Sequence, residues 1–255
     1  MSEQAGSQVR VERSPKRVRV YLEGDLVADT YAPLLVWENS HYPAYYIPAA
    51  DVRAELIPAG ESEHKARFGD AELLHVKTSL ATAELAARRY ADSPVLELRD
   101  SVRLEWAAMT EWLEEDEPIY THPRSPYTRI DILASSRQVR VELDGVTVAE
   151  SSQPRILFET GLPARYYLPL ADLRMDLLRP SDTTSQCPYK GTAAYWSVDT
   201  STTTPGGRLH RDVLWIYRTP LPESQKIAGL AAFFNERVEL YVDGVRQPRP
   251  KSPFS

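Results

Sequence analysis

The chain contains an internal repeat. Residues 17–56 align with residues 138–177 without a gap, and 16 of the 40 positions are identical. Unrelated sequences would share roughly two or three positions over that length. The similarity fades after Leu56 and Leu177 and resumes weakly near the end of each copy. Two related copies have to fold into two similar units, so this repeat limits the possible folds more than any other feature.

The repeat also predicts how the chain is divided. The segment between the two copies is rich in proline and serine, which is typical of a connector. We expect the following divisions: a flexible N-terminal tail over 1–15, a first repeat over 16–118, a connector over 119–136, a second repeat over 137–248 and a C-terminal tail over 249–255.

Each copy begins with a pattern that is typical of a β-hairpin. Residues alternate between apolar and polar over 18–22, and the turn residues Glu-Gly follow; the second copy has Asp-Gly at the same place. Later segments are short, aromatic and β-branched. We therefore predict a mainly β (α+β) fold made of two compact units.

Helical spacing is clearest over 222–238, where apolar residues recur every three or four positions behind a proline. We expect a C-terminal helix there and a counterpart in the first unit over 95–109. Residues 82–90 also have helical propensity, but the repeat favours a strand at that place.

The composition argues against several classes of function. The net charge is −6, and 30 basic residues are mixed among 36 acidic ones, which predicts neither a nucleic-acid surface nor a membrane surface. A single cysteine and five widely spaced histidines predict no disulfide, no metal site and no cofactor. Because the chain has no long apolar run, we expect a cytoplasmic protein.

The stretch SQCPYKGTAAYWSV, residues 185–198, differs most between the copies. The first unit has EHKARFGDAELLHV at 63–76, without the cysteine, the Pro-Tyr-Lys-Gly run or the tryptophan. Cys187 is a candidate nucleophile if a cation stabilises its thiolate; the alternative is a small buried apolar residue. Lys190 is the second catalytic candidate, since its ammonium could stabilise charge; the alternative is a surface lysine at a turn.

Aromatic residues near this stretch are candidates for ligand binding. Tyr166 and Tyr167 match Tyr45 and Tyr46, so we expect at least one tyrosine of each pair in the core. The others could line a pocket together with two aromatic residues of the quoted stretch, Tyr189 and Trp196. The alternative for each is packing inside the unit.

Arg174 is a further candidate for ligand binding. It lies between Asp172 and Asp176, and the first unit has the same charge order over 51–55. Alternation along a strand would place these side chains on one face. An ordinary ladder of solvated charges is the preferred interpretation, and a clamp on a ligand is the alternative.

The chain resembles a known bacterial family over nearly its whole length, as a tandem member whose first unit is similar only in its front half. The runs RYYLPLADLRMDLL, PSDTTSQCPYKGTAAYW and KIAGLAAFFNERV are similar to domain of unknown function 427, whose family name is nucleotidyltransferase-like. The resemblance implies a compact β unit similar to the Mss4-like or β-tent topology, without the paired Cys-x-x-Cys zinc ligands of those relatives. It implies no secure activity. Nucleotidyl transfer needs a Gly-Ser turn with an Asp-x-Asp pair for magnesium, which the chain lacks.

Two functions remain in competition at this stage. The leading hypothesis is a small-molecule-binding protein, with or without catalysis, whose one pocket lies in the second unit while the first unit is degenerate. The rival is a non-catalytic module that binds a partner protein through an aromatic surface across both units. A closed cavity around Lys190 would favour the first hypothesis, and an exposed apolar patch spanning both units would favour the second.

Overall fold

The structure is a computed structural model that describes residues 9–39 and 41–252. The chain forms two compact units, residues 1–125 and 126–255. Strands make up 51% of the structure and helical turns 9%, so the mainly β class is confirmed. Within the described residues, no helix is both long and apolar enough to cross a membrane.

The first unit contains two antiparallel sheets. Its strands are β1 Val11–Arg13, β2 Val18–Leu22, β3 Asp25–Thr30, β4 Leu34–Val36, β5 Ala44–Pro48, β6 Glu55–Lys65, β7 Gly69–Lys77, β8 Thr82–Arg89, β9 Ser101–Leu104, β10 Glu111–Glu114 and β11 Glu117–Ile119. One sheet has seven strands in the order β1-β4-β5-β9-β8-β7-β6, and the other has four in the order β11-β10-β2-β3.

The second unit repeats this arrangement. Its strands are β12 Ile130–Ala134, β13 Val139–Leu143, β14 Val146–Ser151, β15 Arg155–Glu159, β16 Arg165–Leu168, β17 Leu178–Cys187, β18 Gly191–Asp199, β19 Leu209–Tyr217, β20 Ala231–Phe233, β21 Glu239–Val242 and β22 Val245–Arg246. The seven-stranded sheet has the order β12-β15-β16-β20-β19-β18-β17, and the four-stranded sheet has the order β14-β13-β21-β22. Strand for strand, the two units have the same topology.

The predicted front hairpins are confirmed. In each, the two turn residues adopt positive φ angles, 49° and 90° for Glu23 and Gly24 and 51° and 75° for Asp144 and Gly145. Two consecutive left-handed residues match the twist of the flanking strands, which explains the glycine in both turns. Both hairpins also carry a register shift at the same place, after Val20 and after Val141.

Apolar residues pack on both faces of each seven-stranded sheet. One cluster lies between the two sheets; it includes Val20 and Leu74 in the first unit and Val141 and Leu214 in the second. A smaller cluster lies on the face that is turned away from the four-stranded sheet, and we call this the outer face. Its largest members are Tyr46, Phe68 and Tyr90 in the first unit and Tyr167, Trp215 and Tyr217 in the second.

The predicted C-terminal helices are wrong. Pro222–Ile227 forms a short 3-10 turn, and Ala231–Phe233 is then a strand between β16 and β19. Gly229 has a φ of 70°, which ends helical winding, and its N–H bonds to the carbonyl of Tyr217. All three residues of β20 are buried, so the apolar run reflects a strand covered on both faces.

The first unit follows the same plan, with a 3-10 turn at Leu96–Leu98 before β9. The strand predicted over 82–90 is confirmed as β8, although its sequence has helical propensity. Sheet pairing on both sides outweighs intrinsic preference there.

The predicted charge ladder does not lie on a strand. Leu170–Asp172 and Met175–Leu177 are 3-10 turns, and Arg174 lies between them. In the first unit, Ala49–Asp51 is likewise a 3-10 turn. Prolines Pro48 and Pro169 precede these turns, and each ends a strand because proline has no N–H for the ladder.

Two strands lie in segments that the repeat alone had assigned to a tail and a connector. β1 lies within residues 1–15 and pairs with β4. β12 lies within residues 119–136 and pairs with β15. Each closes the same edge of its seven-stranded sheet, and the division between the compact units falls at residue 125.

Candidate functional site

Strand pairing establishes which residues correspond between the two units in the region of the quoted stretch. Lys65 pairs with Gly69 at the end of the β6–β7 hairpin, and Cys187 pairs with Gly191 at the end of the β17–β18 hairpin. Lys65 therefore occupies the position of Cys187. Counting along the turn, Phe68 occupies the position of Lys190.

The turn that carries Lys190 is fixed by its neighbours. Gly191 has a φ of 90°, and the equivalent Gly69 has a φ of 85°. The carbonyl of Lys190 accepts a hydrogen bond from the N–H of Leu221, and Ser224 Oγ donates to the carbonyl of Tyr189. The loop after β19 thus holds the turn against the outer face.

Lys190 forms a buried ion pair. Its Nζ lies 2.5 Å from Glu159 Oε2, and the residue is only 8% exposed. Glu159 is equivalent to Glu38 in the repeat alignment. The carboxylate balances the charge of the buried ammonium, and the pair helps to hold the turn in place. Ligand binding by Lys190 stays a prediction.

Two tyrosines lie beside this ion pair. Tyr167 accepts a hydrogen bond of 3.1 Å from Trp215 Nε1, and the two rings meet edge to face. Burial raises the pKa of both Tyr167 and Tyr217, and the Glu159 carboxylate raises both further. Both phenols are therefore protonated at neutral pH.

Cys187 is half-buried and lies close enough to Tyr167 and Tyr217 to influence their ionisation. Its thiol is free. The structure thus brings the two candidate catalytic residues, Cys187 and Lys190, to the same end of the outer face as two buried phenols.

Aromatic side chains cover the neighbouring part of the outer face. The rings of Tyr195 and Phe234 lie 6.2 Å apart and nearly parallel, and Phe234 packs against Trp215 at 4.6 Å. Ser185 Oγ and the Tyr195 hydroxyl share a hydrogen bond of 2.8 Å. Both Tyr195 and Phe234 are partly exposed, so this part of the face is accessible to solvent.

A second buried ion pair borders the aromatic rings. Arg165 makes two hydrogen bonds of 2.7 Å to Glu236, and both side chains are almost fully buried. The Arg165 guanidinium also lies 5.6 Å from the centre of the Trp215 ring. Burial alone would raise the pKa of Glu236, but hydrogen bonds from Arg165 and Ser252 outweigh burial and lower it.

The remaining predicted residues lie elsewhere. Tyr166 and Trp196 pack against the cluster between the sheets, on the opposite face from Lys190. Arg174 is exposed and paired with Asp176. Tyr189 is half-buried in the turn next to Lys190. Of the aromatic residues predicted from the sequence, Tyr167 and Tyr189 are the two that the structure places near Lys190.

Sequence reasoning missed Glu159, Trp215, Tyr217 and Phe234. Glu159 could have been found, because it is identical to Glu38 in the aligned repeat. Alternation along DVLWIY also places Trp215 and Tyr217 on one strand face. Phe234 could not be placed because its segment was interpreted as a helix.

The same positions in the first unit form a network of charges. Arg103 contacts Glu38 at 2.5 Å and Glu105 at 2.6 Å, while Arg88 contacts Glu105 at 2.6 Å and Glu63 at 2.8 Å. The hydrogen bond from Arg88 lowers the pKa of Glu63. Strand pairing makes Arg88 equivalent to Trp215 and Arg103 equivalent to Ala232. The two outer faces therefore differ in character although their backbones correspond.

Two open grooves lie away from these faces. One of about 380 Å³ is lined by Asp25, Arg53 and Lys77, and one of about 590 Å³ by Glu239, Arg246 and Arg249, among others. Among the residues that the structure describes, no three histidine, cysteine or acidic side chains converge on a point where they could hold a metal ion.

Comparison with known proteins identifies a family. Proteins of curated function give no match to the chain. A family model described as domain of unknown function 427 matches the chain twice, over residues 10–115 and 131–244. These two segments correspond to the two structural units. The chain therefore belongs to the domain of unknown function 427 family and contains two copies of its domain.

Proposed function

We propose that the second unit binds a small molecule at its outer face, beside Tyr195, Phe234 and Cys187. The observation that carries the proposal is the contrast with the first unit, where the equivalents of Tyr195 and Trp215 are Leu73 and Arg88. The residue equivalent to Phe234 is Glu105, which lies in the ionic network. Partly exposed rings next to fixed polar groups are typical of a small-molecule site.

Partial exposure of the rings supports this location. A ring that serves only the core would be fully buried, as Tyr167 is. Tyr195 and Phe234 are instead partly exposed, while the buried ion pairs hold the surrounding backbone. A flat ligand could stack on these rings without any rearrangement of the sheet. The proposal concerns binding; catalysis by Cys187 and Lys190 stays a sequence prediction.

Ligand-observed NMR with a mixture of small aromatic compounds tests the proposal on the full chain. We expect saturation transfer to several compounds, and loss of most of it in Tyr195→Leu, which installs the residue of the first unit. Tyr31→Leu is the matched control, because it removes an exposed ring from the first unit. Equal signals from wild type and Tyr195→Leu would contradict the proposal.

One observation supports a narrower form of the rival function, a protein-interaction surface within the second unit alone. Leu133 and Phe158 are 53% and 45% exposed, and they lie near each other on the opposite face of the β12–β15 pair. The rival expects Phe158→Ser to abolish binding of a partner protein. The small-molecule proposal expects that variant to bind aromatic compounds normally.

Four finer expectations also stay proposals. Similarity to the Mss4-like or β-tent topology is supported by the family membership and by the paired sheets of each unit. A bacterial origin is supported by the family resemblance. A cytoplasmic, metal-free protein is supported by the composition alone.

A further inference from the structure

The segment after β22 runs back along the part of its own unit that precedes it. Successive residues of this segment bond to progressively earlier residues of the chain. These bonds join the N–H of Gln247 to the carbonyl of Leu240 at 2.7 Å, Arg249 Nε to the carbonyl of Val238 at 3.4 Å, and Ser252 Oγ to Glu236 Oε1.

The next step of this progression has a phenylalanine on each side. Phe254 follows Ser252 by two residues and lies outside the described residues. Phe234 precedes Glu236 by two residues. Because two residues of chain span at most about 7 Å, the hydrogen bond at Ser252 brings Phe254 within reach of the Phe234 ring.

Glu236 is a firmly held partner for this segment. Its carboxylate accepts two hydrogen bonds of 2.7 Å from Arg165, and both side chains are almost fully buried. The Arg165 guanidinium also lies 5.9 Å from the centre of the Phe234 ring. Pro253 comes directly after Ser252 and restricts the backbone of both residues, so the residue that follows loses less conformational entropy when it docks.

The first unit ends in the same short motif. Residues 250–255 read Pro-Lys-Ser-Pro-Phe-Ser and residues 123–128 read Pro-Arg-Ser-Pro-Tyr-Thr, so every position is identical or similar. Pro123 and Ser125 are buried, so the first copy of the motif packs against protein. The repeat therefore retains both the docked serine and the aromatic ring two residues after it.

The aromatic residue of the motif differs between the copies in the same way as the outer face. The first copy has Tyr127, and its unit has Glu105 at the position equivalent to Phe234. The second copy has Phe254, which carries no polar group. Two phenyl rings attract each other in offset or edge-to-face arrangements, so the outer face of the second unit suits phenylalanine better than tyrosine or a charged residue.

We propose that Phe254 packs on the ring of Phe234 and competes with the ligand for the outer face of the second unit. The contact is argued from the hydrogen bonds of the segment and from the repeated motif, whereas the competition rests on the proposed function. A ligand that stacks on Phe234 must first displace Phe254. If the contact is populated about four-fifths of the time, the apparent affinity is lowered about fivefold.

Nuclear Overhauser spectroscopy of the full chain with labelled phenylalanine tests the contact. The chain has five phenylalanines, so the ring signals are few. We expect a cross-peak between the rings of Phe254 and Phe234, assigned by its loss in Phe254→Leu and in Phe234→Leu. Phe158 is the internal control and should give no cross-peak to Phe254, because it is exposed on the opposite face of its strand pair.

Titration of the full chain with quinoline, a flat bicyclic compound, tests the competition. Phe254→Ala should bind quinoline about fivefold more tightly than the wild type, because the Phe234 ring no longer has to be uncovered. Ser252→Ala should tighten binding by a smaller factor, since it removes the hydrogen bond to Glu236 and leaves the ring in place. Lys251→Ala is the matched control, an exposed residue of the same segment, and should bind as the wild type does.

The outcomes separate this inference from the proposed function. A missing cross-peak, or quinoline binding that is unchanged or weaker in Phe254→Ala, would overturn the inference while aromatic binding by the second unit stands. If the cross-peak is present but neither quinoline nor any other aromatic compound binds to any variant, the proposed function and the competition are both wrong.

Discussion

The outer faces of the two units have the same strands in the same order but different chemistry. In the first unit, arginine and glutamate side chains satisfy one another across the sheet. In the second unit, Trp215 and Phe234 take the positions of Arg88 and Glu105, and two isolated ion pairs lie at the edges of the aromatic rings. The comparison teaches that the outer face can replace a charge network by aromatic rings while the strand order and a few shared residues, such as Tyr46 and Tyr167, are kept.

The glutamate shared by the two copies shows how this change is accommodated. Within the described residues, the carboxylate of Glu38 has three partners: Arg103, Lys65 and the Tyr46 hydroxyl. Glu159 is paired with Lys190, which comes from a different position of the turn. The first unit places Phe68 at that position, where it packs against Tyr90. The lysine that pairs with the shared glutamate therefore comes from a different position of the turn in each unit, and the other unit has a less polar residue at that position.

Replacing the lysine that pairs with the shared glutamate should give the largest difference in unfolding free energy between the two units. Lys190→Met leaves Glu159 buried without a cation, which should destabilise the chain by about 3–5 kcal/mol. Lys65→Met should cost at most about 1 kcal/mol, because Glu38 keeps Arg103 and Tyr46 and Lys65 is more exposed. Urea unfolding of the two variants measures the difference.

A double variant serves as the control for this prediction. Lys190→Met combined with Glu159→Leu removes both charges and should recover most of the lost stability. If Lys190→Met alone were as stable as the wild type, the buried ion pair would not hold the turn. The contrast drawn between Lys190 and Lys65 would then be wrong.

Placing the first unit's lysine and phenylalanine at the equivalent positions of the second unit should change the free energy of unfolding by an intermediate amount. Lys190→Phe alone leaves Glu159 unpaired, whereas Cys187→Lys with Lys190→Phe reproduces the Lys65 and Phe68 arrangement. We expect the second change to recover about 1–3 kcal/mol, as coupled neighbouring sites do. A double-mutant cycle measured by urea unfolding gives this value. Strictly additive effects would show that the two positions do not share Glu159.

Removing the hydroxyl from the equivalent tyrosines of the two outer faces should give a smaller difference in stability. Tyr167→Phe leaves Trp215 Nε1 buried without an acceptor, which should cost about 1–2 kcal/mol. Tyr46→Phe should cost less, because Glu38 keeps two cationic partners. Thermal unfolding monitored by tryptophan fluorescence compares them. A larger loss in Tyr46→Phe would reverse this ranking.

The pH dependence of stability should give the smallest difference between the units. It arises at the front hairpin turns. Burial would raise the pKa of Asp144, but hydrogen bonds from Thr200 and His210 outweigh burial and lower it. A lowered pKa means that this carboxylate stabilises the fold above its unfolded pKa of about 3.9 and loses that effect as the pH falls through the folded pKa. Asp144→Asn should therefore cost at most about 1 kcal/mol at pH 7 and progressively less below pH 4.

The matched control for that prediction is Glu23→Gln, at the equivalent turn position of the first unit. We expect no pH-dependent difference from the wild type in urea unfolding. An Asp144→Asn penalty that stays constant from pH 7 to pH 3 would contradict the role assigned to the carboxylate.

The sequence predicted the parts of the fold that depend on local pattern. Alternation and the turn glycines located the front hairpins, and the repeat predicted two units of the same topology. It also predicted that each tyrosine pair contributes to the core, as Tyr46 and Tyr167 do. The helix over 222–238 was wrong because a strand with both faces covered loses the alternation that distinguishes it from a helix.

The site was only partly predictable for a related reason. The sequence singled out Cys187 and Lys190 because they differ between the copies, and the structure places both near the two buried phenols. It could not show that Lys190 is paired, since Glu159 lies 31 residues away along the chain. Trp196 and Tyr195 are adjacent in sequence, and only the sheet pairing shows which one reaches the outer face.

Photo-crosslinking tests the central claim, a ligand site on the second outer face alone, most directly. Small aromatic compounds that carry a diazirine group are irradiated with the wild-type full chain, and the adducts are mapped by mass spectrometry. The account predicts adducts near Tyr195 and Phe234, with few near their first-unit equivalents, Leu73 and Glu105. Equal labelling of the two units, or labelling concentrated around Leu133 and Phe158, would contradict it.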